Sequence, residues 1–303
     1  MTSRVGLCVV LLAAALGVGA VSQQPPTSAS PHVSYWCPMH PDVRGKAGDS
    51  CPICHMALVL AGPNDYRAYE LDVEMVPRAV RPLQNAHVRF FVRNPRTHAT
   101  VRRFELVHER VFHLFVVSRD LDYFAHVHPT LHASGALDID VSVPRAGAYQ
   151  LIADFVPTGG APQLVQKSFV TAGYTGPLGA VPELSPDRTD KIAGDSRVAL
   201  TMPDAIAGRE QLITFDLTDA ASGAPVADLE PFLGATGHLL LASADLTVVA
   251  HSHPVAEISA RSGPTVVFQV LFPRAGAYRL WAQFQRHGAV QTAAFTVPVA
   301  ERY

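Results

Sequence analysis

Helical periodicity is nearly absent from this chain of 303 residues, which excludes a fold built mainly on helices. Charge is sparse: charged residues make up 17% and the net charge is -2, so nothing draws the chain in bulk to nucleic acid or to anionic lipid. Cysteine is scarce too. Of the 4 present, Cys8 lies too early, and in the wrong context, to be a lipid-modified cysteine. The remaining three, Cys37, Cys51 and Cys54, are an odd number that disulfides alone would not satisfy. Beyond residue 21 no apolar run is long enough to cross a bilayer. A nucleophile–base arrangement, a glycine-rich phosphate loop and a cofactor fingerprint are all missing, so the reading is of a protein that is not an enzyme. What is abundant is apolar surface, at 48% hydrophobic residues, enough for two domains of ordinary size, together with 14 histidines, several of them clustered.

The cysteines sit in Cys37-Pro38-Met39-His40 and Cys51-Pro52-Ile53-Cys54-His55-Met56. Two residues between ligands let both side chains of a pair reach one ion, so Cys37, His40, Cys51 and Cys54 form a plausible tetrahedral metal site. The prolines stiffen each turn, and the thioethers of Met39 and Met56 add soft donors that favour Cu(I) over magnesium or calcium. A disulfide staple is the plainer alternative. This stretch resembles the short heavy-metal-binding domain with the pattern Y-x-C-P-M-H-P … C-P-x-C-G-M-x-L, from Tyr35 to Leu58. The resemblance covers residues 35 to about 60, and His55 stands where that family has glycine. It implies a copper or zinc ion and a setting like that of periplasmic copper and silver efflux adaptors and copper-transporting ATPases.

Arg4, the apolar run Val5 to Val21 and the small residues Val18-Gly19-Ala20 form a secretory leader over 1–22, with an uncleaved membrane anchor as the alternative. The expected location is therefore periplasmic or secreted. A polar tether follows over 23–34, and then the metal knuckles at 35–62. From residue 66 short apolar runs alternate with Pro, Gly and Asp breaks, which is a β pattern. Strands are predicted near 68–75, 86–93, 111–118, 123–128, 136–143, 147–156 and 164–171. A linker over 174–195 separates them from a second set near 197–201, 211–218, 237–243, 247–253, 265–271, 276–285 and 291–298. The fold class is mainly β: a small Cys/His knuckle followed by two tandem immunoglobulin-like β-sandwich repeats, 66–173 and 196–303.

The two segments are copies. Phe112-His113-Leu114 returns as Gly237-His238-Leu239, His126-Val127-His128-Pro129 as His251-Ser252-His253-Pro254, and Arg145-Ala146-Gly147-Ala148-Tyr149 as Arg274-Ala275-Gly276-Ala277-Tyr278. Glu105 is matched by Glu230 at the same spacing as the histidines. Residues i and i+2 of a strand share a face, so each H-x-H pair projects together, and His113 or His238 can join it from a neighbouring strand. The glutamates could serve as fourth ligands or as groups that orient an imidazole. His108 aligns with Leu233 and is a poor ligand candidate; His87, His98, His132 and His287 have no counterpart. Trp281, aligned with Ile152, reads as core.

These features point to an exported protein that binds copper first and zinc second, and that sequesters the ion or hands it to an efflux or assembly partner. The alternative is a structural or interaction β-sandwich protein with a zinc-stabilised knuckle. No nucleic-acid partner is expected, and the membrane is reached only through an uncleaved leader.

Overall fold

The computed structural model describes residues 34–37, 43–53, 56–61, 68–187, 190–255 and 263–302. The expected leader, the tether up to residue 33, and Met39, His40, Cys54 and His55 lie outside these. A three-stranded sheet comes first: β1 (Ser34–Trp36) pairs with both β2 (Arg44–Gly45) and β3 (Val59–Ala61). Cys37 and Cys51 are buried beside Leu58, Tyr35, Val43 and Met56. The Cys51 Sγ accepts the Ile53 backbone N–H at 3.4 Å, and the Cys51 N–H donates to the Met56 carbonyl at 2.8 Å. This small sheet is docked rather than tethered: Trp36 and Val59 pack on Val156, Ala161 and Val107 of the next domain.

The first repeat comprises β4 (Glu70–Val76), β5 (Ala86–Arg93), β6 (His113–Ser118), β7 (Phe124–Val127), β8 (Thr130–Leu131), β9 (Ala136–Val141), β10 (Ala148–Phe155) and β11 (Gln163–Val170). Its sheets run β4-β5-β9-β8 and β11-β10-β6-β7. That is the strand order of an immunoglobulin-like sandwich, with the fourth strand of the second sheet placed as in variable-type domains.

The second repeat comprises β12 (Lys191–Ala193), β13 (Ser196–Thr201), β14 (Ala205–Ile206), β15 (Glu210–Asp219), β16 (His238–Ser243), β17 (Val249–Ser252), β18 (Thr265–Leu271), β19 (Gly276–Arg286) and β20 (Ala289–Ala300). Here the sheets run β12-β13-β15-β18 and β14-β20-β19-β16-β17. β12 lies inside the stretch expected as linker and extends the sheet edge. β8, β12 and β14, each two or three residues long, have no predicted strand, because runs that short carry no alternation to detect.

The recurring Arg-Ala-Gly-Ala-Tyr stretch is folding chemistry. The Tyr149 hydroxyl donates to the Arg145 carbonyl at 2.8 Å, and that of Tyr278 to the Arg274 carbonyl at 2.9 Å. This is the tyrosine corner of such sandwiches. Arg145 also pairs with Asp120 at 2.7 Å, and Arg274 with Asp245 at 2.5 Å, fastening each corner to the turn after β6 or β16.

Each sandwich has its own core. Leu114, Val116, Leu151 and Phe155 point into the first, and Leu239, Leu241, Leu280 and Phe284 into the second. The alternate residues on the same strands face outward, yet they are buried as well. Phe115, Val117, Leu121 and Ile152 meet Leu240, Ala242, Leu246 and Trp281 in a third apolar cluster that joins the repeats. Trp281 stacks on Phe124 at 5.1 Å between ring centroids. Each repeat thus presents the same face to the other, and the histidine strands lie on that face.

Candidate metal centre

β6 and β7 are hairpin partners, with Leu114 opposite Val127 and Phe115 opposite His126. This register brings His113 next to His126 and His128. The Nδ1 of His113 lies 3.1 Å from the Nε2 of His126, and the Nε2 of His128 lies 3.3 and 3.2 Å from those two atoms. β16 and β17 repeat the arrangement: the Nδ1 of His238 is 3.2 Å from the Nε2 of His251, and His253 completes a group whose ligand atoms all lie within 4.8 Å.

The outer nitrogens fix the protons. The carbonyl of Val107 accepts from the Nε2 of His113 at 3.0 Å, and that of Phe232 from the Nε2 of His238 at 2.9 Å. A carbonyl only accepts, so the proton of each neutral ring sits there and Nδ1 turns a bare lone pair inward. His126 donates from Nδ1 to the Gln283 side-chain oxygen at 2.8 Å, and His251 from Nδ1 to Asp154 at 2.7 Å. Gln283 is itself oriented by donating its amide N–H to Thr292. In the His113–His126 and His238–His251 pairs the short inner distance is therefore lone pair against lone pair, which repels in the absence of a cation. Nitrogens about 2.0–2.1 Å from a tetrahedral ion stand about 3.3 Å apart, the spacing found in the first triad.

Both partners of the outer bonds come from across the joint. Gln283 of the second repeat orients His126 of the first, and Asp154 of the first orients His251 of the second. Gln283 and Asp154 are equivalent positions, on β19 and β10, so the exchange is reciprocal. The rings converge: His113 lies 5.3 Å from His251, and His126 lies 5.6 Å from His238, between ring centroids.

Burial, reinforced by neighbouring imidazoles, holds the rings neutral, the form that binds metal. It pushes His113 down to about 4 and His128 down to about 3, and His126, His238 and His253 downward as well. For Asp154, burial works to raise the carboxyl, but the bond from His251 and the surrounding rings hold it below its ordinary value. The His238, His251 and His253 group is buried throughout. The first triad opens on a surface hollow lined by Arg110, His126, Val127, His128, Pro129 and Thr130.

Glu105 and Glu230 belong to neither group. The Glu230 carboxylate accepts from the Gln285 side chain and the Gly288 N–H, and the backbones of Glu105 and Glu230 donate equivalently to Val156 and Gln285. The orienting role expected of them falls to Asp154 and Gln283. In the knuckle, Cys37, Cys51 and Met56 are gathered in one buried cluster. Sequence reasoning passed over His108, whose ring stacks on His253 at 3.5 Å between centroids.

The fold and the site define a class: paired immunoglobulin-like sandwiches carrying facing histidine triads, preceded by a heavy-metal-binding segment. The chain belongs to the family described as domain of unknown function (DUF8832), which matches residues 66–172 and 190–301. Residues 34–60 match the heavy metal binding domain. No curated protein matches. Among solved structures, red sea bream transglutaminase is similar over 78% of this chain and 32% of its own, at 12% identity and a TM-score of 0.24. Invasin, a bacterial integrin-binding protein, is similar over 77% and 40%, at 15% identity and 0.23. Fibronectin(III)-like modules of Clostridium thermocellum CbhA are similar over 76% and 95%, at 12% identity and 0.21. The chain thus spans less than half of the first two, and likeness at this level carries no functional weight.

An outer hydrogen bond of this kind commonly sustains about 10–100-fold in metal affinity. Asp154→Asn is therefore expected to weaken the ion at His238, His251 and His253 by that factor and to leave the other triad unchanged in a metal titration. Equal affinity in the variant would show that the carboxylate takes no part.

Proposed function

We propose that this is an exported heavy-metal-binding protein, copper being the first choice and zinc the second, that sequesters the ion or passes it to an efflux or assembly partner. The observation that carries the reading is the convergence of three imidazole nitrogens at 3.1–3.3 Å in the first triad. Imidazole donors suit Cu(II), Zn(II) and Ni(II), and the affinity order favours copper. The knuckle supplies thiolate and thioether donors for a softer ion: Cys37 and Cys51 are buried together with an N–H directed at sulfur, and His40 and Cys54 complete the set in the sequence. Export rests on the leader-like composition of residues 1–22. Binding is preferred to turnover because the sequence offers no nucleophile–base arrangement beside the histidines.

The test is elemental analysis of protein purified from its native compartment. Metal at the knuckle and at the triads is expected. Replacing Cys51 and Cys54 by serine should remove one equivalent without unfolding the sandwiches. An unchanged metal content would refute the knuckle site, and turnover of a substrate lost in His126→Ala would replace binding by catalysis.

A further inference from the structure

The turns before β6 and β16 are copies in backbone as well as in place. Val107 and Arg110 bridge in the first, Phe232 and Ala235 in the second. His108 and Leu233 occupy the same left-handed position, with φ of 46° and 51°. The turn therefore has no need of histidine, since leucine serves in the other copy at the same strained angle.

The His108 side chain crosses the joint. Its ring lies 3.5 Å from that of His253 and 5.5 Å from that of His238, both in the other repeat. Its buried Nε2 has no hydrogen-bond partner. His253, stacked against it, has no partner at either ring nitrogen. Leaving such buried groups unsatisfied is unfavourable, and a cation lying in the ring planes, which His108 reaches by turning out of the stack, satisfies them.

We propose, resting on the metal-binding reading above, that His108 of the first repeat is the fourth ligand of the centre formed by His238, His251 and His253 of the second. His108 stands outside the 4.8 Å group in this structure, so binding draws its Nε2 inward. That centre then becomes a closed four-imidazole site tying the two repeats together. In the second repeat the counterpart of His108 is Leu233, which offers the first triad no imidazole, so that triad keeps three protein ligands and an open position toward the Arg110 hollow. One ion is held; the other is exchangeable.

The experiment uses the full chain with Cys37, Cys51 and Cys54 replaced by serine, so that the knuckle thiolates do not compete, and zinc as the probe metal. Long-range proton–nitrogen NMR of this protein should show the Nε2 of His108 moving to a metal-bound shift on saturation. His108→Leu, which installs the residue the other turn carries, should weaken one of two zinc equivalents more than about tenfold and leave the second unchanged. Zinc at both centres with the His108 Nε2 unmoved, or with His108→Leu binding as tightly as its parent, overturns the assignment and leaves the triads standing. Absence of zinc from both centres overturns the triads and the assignment together.

Discussion

Metal-free protein taken from pH 7 toward pH 4 is expected to lose stability steeply, and bound zinc or copper should move that loss to lower pH. Burial, with help from neighbouring rings, pushes His108 and His128 down to about 3 and His113 down to about 4, and lowers His126, His238 and His253 as well. The same residues in an unfolded chain titrate near about 6.5. The unfolded state therefore takes up more protons than the folded state once the pH falls below that value. The stability conferred by holding the rings neutral is complete above about pH 6.5 and is lost through the window down to about 4 and then 3. Each such histidine contributes a slope of up to about 1.4 kcal/mol per pH unit. Acting together they reach several kcal/mol per unit, against a typical total of about 5–15 kcal/mol. An ion on the inner lone pairs competes with those protons and stabilises by mass action. Urea unfolding at pH 7.5, 6.5 and 5.5, with and without zinc, measures this. Metal-free stability that stays flat down to pH 5.5 would show that these imidazoles are not held neutral at a buried joint.

Most strands were legible in the sequence because they alternate in the usual way and are bounded by turn residues. The harder lesson lies in β6 and β16. Leu114 to Val117 and Leu239 to Ala242 are continuous apolar runs, the signature of a strand covered on both faces. The sequence offers no way of knowing what covers the second face; here it is the other repeat. Trp281, read as core, is buried, but in the joint rather than inside its own sandwich.

The histidine triads were legible because they are identical in both copies. Comparing copies fails for the residues that support them. Asp154 and Gln283 occupy equivalent places but differ in type, and each serves the other repeat's histidine. Glu105 and Glu230 are identical and lie outside the groups. His108 aligns with a leucine because its work is done on the far side of the joint, where a residue's partner is not its copy. Repetition marks what each copy does by itself, whereas the chemistry across the joint depends on where the copies differ.

Trp281→Ala should therefore do more than weaken the fold. Trp281 is 2% exposed and stacks on Phe124 of the opposite repeat, so its loss is expected to cost about 3–5 kcal/mol. The cost falls on the joint, because Leu280, Ala282 and Phe284, which line the second sandwich's own core, are untouched. Strand geometry couples this joint to the metal. Trp281 and Gln283 are two apart on β19, and Ile152 and Asp154 are two apart on β10, so each apolar contact shares a face with the polar group that reaches across to a histidine. A repeat that draws away takes with it the bond to His126, the bond to His251 and the His108 ring. The variant should thus show protease cleavage between 174 and 190, two separate unfolding transitions where the parent shows one, and weaker metal binding at both triads. A truncation inside one core, such as Leu114→Ala, should instead unfold the first sandwich without first separating the pair. If Trp281→Ala parted the repeats while both triads kept their affinity, each triad would be complete within its own sandwich, and the groups reaching across would be bystanders.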